Sequence, residues 1–293
     1  MVILNSENIK AYIDYLMYER RLSKNTIIAY KKDLNIIIST LKKDLNQLNK
    51  DDINNFLKNM DASSRTKAHY LTVLNSYYNY LIFTGLLSMN PCDMIKSPKI
   101  EKKLPVYLTI EEIDKLFNIR LNKPIDYRNK AMLELLFATG TRISELTSLT
   151  LSQINFEESI IKVMGKGKKE RIIPIANNAL NYLKVYIYNY REYLIKNNND
   201  YVFLNKNGEK ISRQGFFKIL KKMAQDSGIN KNISPHVLRH SFATYLLNNG
   251  VDLRVIQELL GHENLETTEI YSHLTSQKIK DDYDNHPHAH LVN

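Results

Sequence analysis

The chain has 293 residues and a formal net charge of +10 at pH 7, which predicts a polyanionic partner, either nucleic acid or an acidic membrane surface. No terminal apolar run reaches the length of a membrane span or resembles a signal peptide, and no segment sets a basic face opposite a bulky apolar one, so we expect a cytoplasmic protein that binds no membrane. Cys92 is the sole cysteine, which excludes a disulfide framework and a cysteine-based zinc cluster.

Residues 6–95 are predicted to form four or five helices and no strand. Apolar residues recur there at helical spacing, and Ser23 is the expected N-cap of the second helix. The tyrosines of the fourth helix, among them Tyr77 and Tyr78, are interpreted as core and rim packing rather than as platforms for base stacking. Basic residues at loops and helix starts are solvated by default and are candidates for contacts with DNA phosphates: Arg20, Arg21, Lys24, Lys31, Lys32, Arg65 and Lys67.

A segment with prolines and a run of charges, residues 96–105, is predicted to be a linker. It separates an N-terminal domain, residues 1–95, from a second domain, residues 106–280, and residues 281–293 are expected to be a C-terminal tail. A semi-extended linker of this kind lets two domains close around a DNA duplex as a clamp.

The second domain begins with two predicted helices, one capped by Thr109 and one from Tyr127 to about Thr139. The second of these leads to a glycine turn. Arg142 follows the turn and Glu145 comes three residues later, a spacing that places both on one face of a helix. By itself this spacing predicts an ordinary surface ion pair.

The stretch SIIKVMGKGKKERIIPIA, residues 159–176, predicts an antiparallel hairpin, because two β-branched runs flank a glycine-lysine turn. Lys166 lies between two glycines at its tip. Lysines in hairpin turns commonly do no more than increase solubility. Arg171, on the second strand, is expected either to orient the turn or to contact DNA.

The stretch with the most potential chemistry runs from residue 234 to residue 271. Ser234 is the expected N-cap of a helix, so His236 and Arg239 lie three residues apart on the first turn, where N–H groups and the helix dipole favour phosphate. A further helix ends before His262, and Tyr271 follows nine residues later. These residue types indicate a tyrosine that attacks a phosphodiester, which needs a base and cations because a phenol has a pKa of about 10.

A metal site is not expected in this stretch. His236 and His240 are four residues apart, as zinc ligands on a helix are, but Val237 occupies the position where a zinc hydrolase has glutamate. The histidines of HPHAH, close to the end of the chain, are taken as part of the tail.

Several motifs, in this order, resemble those of the tyrosine recombinase family, closest to the Xer type. HVLRHSFAT, LLGH and the tyrosine nine residues after that histidine resemble its C-terminal box, ATGTRISELTSLTLSQI its first arginine box, GKGKKER its lysine hairpin, and LSKNTIIAYKKDL part of its core-binding domain. The resemblance implies a mainly α fold with a small antiparallel β-sheet. It also implies a two-domain DNA clamp, with a helical core-binding domain and a tyrosine recombinase catalytic domain.

The same resemblance implies a role for each site residue. Tyr271 is the nucleophile, and the other catalytic residues are Arg142, Lys166, His236, Arg239 and His262. Glu145 holds the site in place behind Arg142. We assign Lys166 as the acid that protonates the leaving 5′ oxygen, while His236 either takes the tyrosine's proton or binds phosphate.

The expected enzyme is a site-specific DNA recombinase that cuts and rejoins DNA through 3′-phosphotyrosine links without ATP, cofactor or metal. Its partner is a double-stranded DNA recombination site, bound by a homo-tetramer or by a hetero-tetramer with a second recombinase. Its expected task is to resolve chromosome or plasmid multimers. Two alternatives stay open: a transposon- or phage-encoded integrase of the same chemistry, and a non-catalytic DNA-binding protein with the same fold.

Overall fold

The structure is a computed structural model that describes residues 6–100, 106–165 and 170–260. The chain divides into two compact units, Met1–Leu104 and Pro105–Asn293, and each contains its own apolar core. The described part is mainly helical with a small antiparallel sheet, which confirms the predicted fold class. None of the helices in that part is long and apolar enough to span a membrane.

The N-terminal unit is built from helices whose starts are set by side-chain caps. Its elements are α1 (Ser6–Tyr18), α2 (Lys24–Leu41), α3 (Lys50–Asn59) and α4 (Ser64–Phe83), with a 3-10 turn at Leu45–Gln47. Ser23 caps α2 as predicted, by accepting a hydrogen bond from the Thr26 N–H. Tyr77 and Tyr78 are fully buried, and the Tyr78 hydroxyl donates to the Leu45 carbonyl at 2.7 Å, so these tyrosines of α4 are core residues as predicted.

The second unit holds the sheet and the other described helices. They are α5 (Ile110–Phe117), α6 (Pro124–Thr139), α7 (Ile143–Ser148), β1 (Ile154–Asn155), β2 (Ile160–Met164), β3 (Glu170–Pro174), α8 (Asn177–Val185), α9 (Arg213–Asp226), α10 (Pro235–Asn248) and α11 (Leu253–Leu260). α6 begins three residues earlier than predicted, because Pro124 takes the first helical position, where a missing N–H costs nothing. The Asp126 carboxylate also accepts a hydrogen bond from the Lys123 N–H at 2.9 Å.

The helix predicted from residue 176 to residue 196 is α-helical only as far as Val185. A π turn, Tyr186–Tyr190, and a 3-10 turn, Glu192–Leu194, follow it. The N–H of Arg191 bonds to the carbonyl of residue 186, five residues back, at 2.8 Å. Its guanidinium is buried and donates to the Tyr201 carbonyl at 2.7 Å. The altered turn thus allows Arg191 to bond to backbone carbonyls, a contact that helical periodicity alone does not predict.

The sheet has the strand order β1-β2-β3 with antiparallel pairing throughout. β2 and β3 form the predicted hairpin, in which Ile161 pairs with Ile173 and Val163 with Arg171. Ile161, Val163 and Ile173 are buried. Arg171 shares their face of the hairpin, because side chains alternate along a strand and paired residues project to the same side. β1, with two residues, is too short to show an alternation in the sequence.

α6 crosses the centre of the second unit, as its apolar sequence predicts. Every position from residue 130 to residue 139 is buried. The Lys130 ammonium lies 2.9 Å from the Glu134 carboxylate and donates to the Phe117 carbonyl at 2.7 Å, so its buried charge is compensated. A helix enclosed in this way brings its C-terminal end to a fixed position.

Candidate active site

The turn that ends α6 is built around Gly140. Its φ is +55°, a left-handed conformation that glycine adopts without strain. A Cβ on Gly140 would lie 2.7 Å from Cδ1 of Phe242, on α10, and 2.8 Å from Cδ2 of Leu260, at the end of α11. The end of α6, the middle of α10 and the last described residue of α11 therefore meet at a residue that has no side chain, two positions before Arg142.

Arg142 is the N-cap of α7, and Glu145 accepts hydrogen bonds from both its backbone N–H and its guanidinium. The Arg142 N–H donates to Oε2 of Glu145 at 2.8 Å, and its Nη1 donates to Oε1 at 3.0 Å. The Glu145 side chain is 6% exposed and the Arg142 side chain 35% exposed. The pair is therefore a buried carboxylate that orients a half-exposed guanidinium, and not the ordinary surface ion pair that the spacing alone suggests.

Arg171 is the residue at this site whose position the sequence did not reveal. Its Nη1 donates to Oε1 of Glu145 at 2.9 Å and its Nη2 to Oε2 at 2.8 Å, a bidentate pair between β3 and α7. The prediction that Arg171 orients the turn or contacts DNA did not include this contact. The sequence signal was available, because Arg171 precedes the buried Ile173 by two residues and so belongs to the inward face of the strand.

Glu145 stays ionised in this setting. Burial raises the pKa of its carboxyl group, but the hydrogen bonds from Arg171 and Arg142 outweigh burial and hold the pKa below its ordinary value. Glu145 is therefore an anion at neutral pH, and its charge keeps two arginines of different elements together.

Arg239 reaches the same place from α10. Ser234 caps this helix as predicted, with its Oγ accepting from the Val237 N–H at 3.2 Å. The Arg239 Nη1 donates to the Gly140 carbonyl at 2.5 Å, and its Nη2 donates to the Leu260 carbonyl. The guanidinium thus ties the C-terminal ends of α6 and α11 together.

Burial and neighbouring charges shift the pKa of Arg239. Burial lowers its pKa to about 10, the nearby Arg142 cation lowers it as well, and the Glu145 anion opposes both. Arg239 is therefore still a cation at neutral pH. His236 is exposed, one turn before Arg239 on α10. The structure thus brings Arg142, Glu145 and Arg239 together and places His236 on the helix that carries Arg239.

The other three predicted site residues, Lys166, His262 and Tyr271, lie outside the described residues. Their roles stay predictions. The last described position before Lys166 is Gly165, after β2, and the last before His262 and Tyr271 is Leu260, whose carbonyl accepts from Arg239.

The chain enters the second unit on the helix that carries Arg239. The Leu108 N–H donates to Oγ of Ser241 at 2.8 Å, and the Lys231 ammonium donates to the Tyr107 carbonyl at 3.1 Å. Ser241 lies two residues after Arg239 on α10. The first residues described after the predicted linker are thus bonded directly to the site helix and to the segment before it.

The described part of this site suits a phosphate in which negative charge develops. Arg142, Arg171 and Arg239 are close enough for their charges to influence one another, and Glu145 is the carboxylate that the described structure shows bonded among them. Guanidinium groups bind phosphate oxygens through paired N–H donors, and fixed cations stabilise the added charge of a transition state. These described residues are suited to binding and charge stabilisation, and the predicted nucleophile, Tyr271, lies outside the described part of the chain.

Comparison with known proteins agrees with this arrangement. Residues 106–278 match the phage integrase family, and residues 9–85 match the phage integrase N-terminal SAM-like domain. The tyrosine recombinase XerD of Oceanobacillus iheyensis is 42% identical over an alignment 292 residues long, which covers 96% of this chain and 98% of that protein. The crystal structure of XerA recombinase matches 96% of this chain and 98% of its own, with 30% identity and a TM-score of 0.51. XerH site-specific recombinase, bound to a palindromic difH substrate, shares the fold with 23% identity and a TM-score of 0.68, over 95% of this chain and 94% of its own.

Replacing Gly140 with alanine should lower the stability of the fold by more than the strain of a positive φ alone would cause. The added methyl group overlaps the Phe242 and Leu260 side chains, and overpacking of this kind costs about 1–3 kcal/mol in addition to the strain of a positive φ. We expect a lower midpoint of urea unfolding for Gly140→Ala. Gly250→Ala is the matched control, because Gly250 has a φ of +78° but nothing within 4 Å of its Cβ position. Equal losses in the two variants would contradict the role of close packing at Gly140.

Proposed function

The chain belongs to the phage integrase family of tyrosine recombinases, as an Xer-type site-specific recombinase that cleaves and rejoins DNA, and we propose that it does so through a 3′-phosphotyrosine formed by Tyr271. One observation carries this proposal more than any other. Arg142 and Arg239, which are 97 positions apart in the numbering, converge on the turn at Gly140. Two guanidinium groups from separate helices at one turn are what a scissile phosphate requires of its binding site.

Arg142 and Arg239 bind the non-bridging oxygens of the scissile phosphate in this proposal. Glu145 sets the orientation of Arg142 through its two hydrogen bonds. Arg239 keeps its charge at neutral pH in spite of burial, which supports the same role. His236 is exposed at the N-terminal turn of α10, where it either accepts the proton of the tyrosine or binds phosphate. His262 completes the proposed set of catalytic residues.

The reaction proposed here exchanges one ester for another. The Tyr271 oxygen attacks phosphorus, the phenol proton passes to a base, and the bond from phosphorus to the 5′ oxygen breaks. Lys166 gives a proton to that oxygen, because an alkoxide is a poor leaving group without one. A 5′ hydroxyl of the partner strand then attacks the phosphotyrosine in the reverse step. Ester exchange conserves the bond energy, so the proposed cycle uses no ATP, cofactor or metal.

We also propose the setting in which this reaction takes place. The partner is a double-stranded recombination site, contacted by a core DNA-binding domain (residues 1–95) and a catalytic domain (106–280), joined by the linker 96–105 and followed by the tail 281–293. The enzyme works in the cytoplasm as a homo-tetramer or as a hetero-tetramer with a second recombinase. Its task is to resolve chromosome or plasmid multimers. Integration of a mobile element by the same chemistry is the alternative, and the identity of the target site distinguishes them.

Tyr271→Phe should abolish the covalent protein–DNA complex. Phenylalanine keeps the ring and loses the oxygen that attacks phosphorus, so binding to the site should stay within a few-fold of the wild type. Both proteins are incubated with a nicked suicide duplex that carries the candidate site, and covalent adducts are separated on a denaturing gel. Persistence of the covalent band in Tyr271→Phe would refute the assignment of the nucleophile.

Lys166→Ala should cleave a normal duplex slowly and a sulfur-substituted duplex at nearly the wild-type rate. Sulfur in place of the bridging 5′ oxygen leaves without protonation, and general acid catalysis contributes a factor of about 10²–10⁴. Arg142→Ala is the control and should stay slow on both duplexes, because stabilisation of the non-bridging oxygens is unaffected by the substitution. Single-turnover cleavage measures each rate. If Lys166→Ala is equally slow on both, Lys166 is not the acid.

The assembled complex should contain four protomers and two duplexes. The Tyr271→Phe protein does not cleave, so with a palindromic site it should accumulate in the assembled state. Mass photometry of a titration gives the stoichiometry directly. A complex that stops at two protomers on one duplex, even at saturating protein, would contradict the homo-tetramer and favour a requirement for a second recombinase.

A further inference from the structure

Arg171 connects two parts of the site that come from different segments of the chain. It lies at the start of the described part of β3, opposite the buried Val163, and its guanidinium forks onto both oxygens of Glu145 on α7. Glu145 accepts from Arg142 on the same two oxygens. One buried carboxylate therefore joins the hairpin to the residue that begins α7.

The geometry of Arg171 argues against direct contact with phosphate. Both terminal nitrogens donate to Glu145, and the side chain is 16% exposed, compared with 35% for the Arg142 side chain. Within the described part of the chain, its buried Nε has no hydrogen-bond partner. An arginine that binds phosphate needs donors directed at the ligand, and those shown for Arg171 are directed inward.

Stability alone does not account for this pair either. A buried ion pair gains little net free energy, since desolvation of the two charges offsets their attraction, and apolar residues often replace such pairs without loss. An uncompensated Nε adds to the cost. The pair does provide a defined geometry, because a bidentate arginine–carboxylate contact fixes both partners in a plane.

We propose that Arg171 is a positioning residue that acts through Glu145, so that the first phosphate-binding arginine and β3, the second strand of the hairpin, are held as one unit. The proposal rests on the proposed function. Without Arg171, the buried carboxylate loses two hydrogen bonds and is left with those from Arg142 that the structure shows. The Arg142 guanidinium is then drawn toward Glu145 and away from phosphate, and β3, whose Arg171 lies five positions after Lys166, loses its attachment to α7.

The test is a double-mutant cycle read by single-turnover cleavage of a nicked suicide duplex at saturating protein. Arg171→Met should cleave about 10²-fold more slowly than the wild type, the cost of a misplaced catalytic group, while binding to a half-site stays within a few-fold. The double variant Arg171→Met/Glu145→Gln should cleave at the rate of Glu145→Gln alone. Arg171 acts only through the Glu145 carboxylate, so its loss has no further effect once that carboxylate is gone. Arg171→Lys, which keeps the charge and loses the fork, should fall between Arg171→Met and the wild type.

Arg191→Met is the control for a loss of folding alone. Arg191 is a buried arginine of the same unit whose guanidinium bonds to backbone carbonyls and not to Glu145 in the structure. At temperatures where the folded fraction matches that of Arg171→Met, measured by circular dichroism, Arg191→Met should keep the cleavage rate of the wild type per folded molecule.

Three results would overturn the proposal. Cleavage by Arg171→Met at the wild-type rate would show that no positioning is needed. If the double variant loses the product of the two single fold-losses in cleavage rate, Arg171 acts on the phosphate directly and not through Glu145. An equal loss of rate per folded molecule in Arg191→Met would reduce its role to folding. Failure of the wild-type protein to cleave would instead contradict the proposed function, so the two ideas fail in different ways.

Discussion

The site depends on the approach of three helices to one residue without a side chain. The ends of α6 and α11 meet α10 at Gly140, where even a methyl group overlaps Phe242 and Leu260. Close contact brings the carbonyls of Gly140 and Leu260 within reach of one guanidinium, that of Arg239. Carbonyls at helix C-termini lack partners inside their own helices, and a cation is the group best suited to satisfy them. The position of the second arginine is therefore a consequence of how α6 ends at Gly140 and of how closely Leu260 approaches it.

The second constraint is electrostatic. Arginines that gather around a phosphate repel one another before it binds, and the pKa of Arg239 reflects both that repulsion and burial. Glu145 lowers the repulsion without occupying the ligand's place, because its carboxylate is buried behind Arg142. Three cations with one bonded anion among the described residues leave an excess of positive charge, which is suited to the extra negative charge of a transition state. The free-energy cost of bringing these charges together is met during folding and not during the reaction, which is what preorganisation means here.

The sequence predicted those parts of the fold that depend on local chemistry. Helix starts at Ser23 and Ser234 follow from capping, and the relation between Arg142 and Glu145 follows from helical spacing. Two features that depend on tertiary contact were not predicted, whereas the shared site of Arg142 and Arg239 was expected from the family resemblance and not from local chemistry. The π turn before Arg191 has no pattern of its own, and the partner of Arg171 lies 26 positions away on another element. The alternation of side chains along β3 indicated only that Arg171 faces inward. An alternation carries no information on which acidic residue Arg171 contacts.

The entry of the chain into the second unit has a mechanical consequence. A hydrogen bond from Leu108 to Ser241 and another from Lys231 to Tyr107 bind the segment after the predicted linker to α10 and to the loop before it. A tether transmits force to the point where it is attached. A pull on the chain at Leu108 would therefore act on α10 at Ser241, within one helical turn of Arg239, whose guanidinium bonds to the Gly140 and Leu260 carbonyls. The residue that receives this attachment and the arginine that bonds to Gly140 thus belong to one helix, α10.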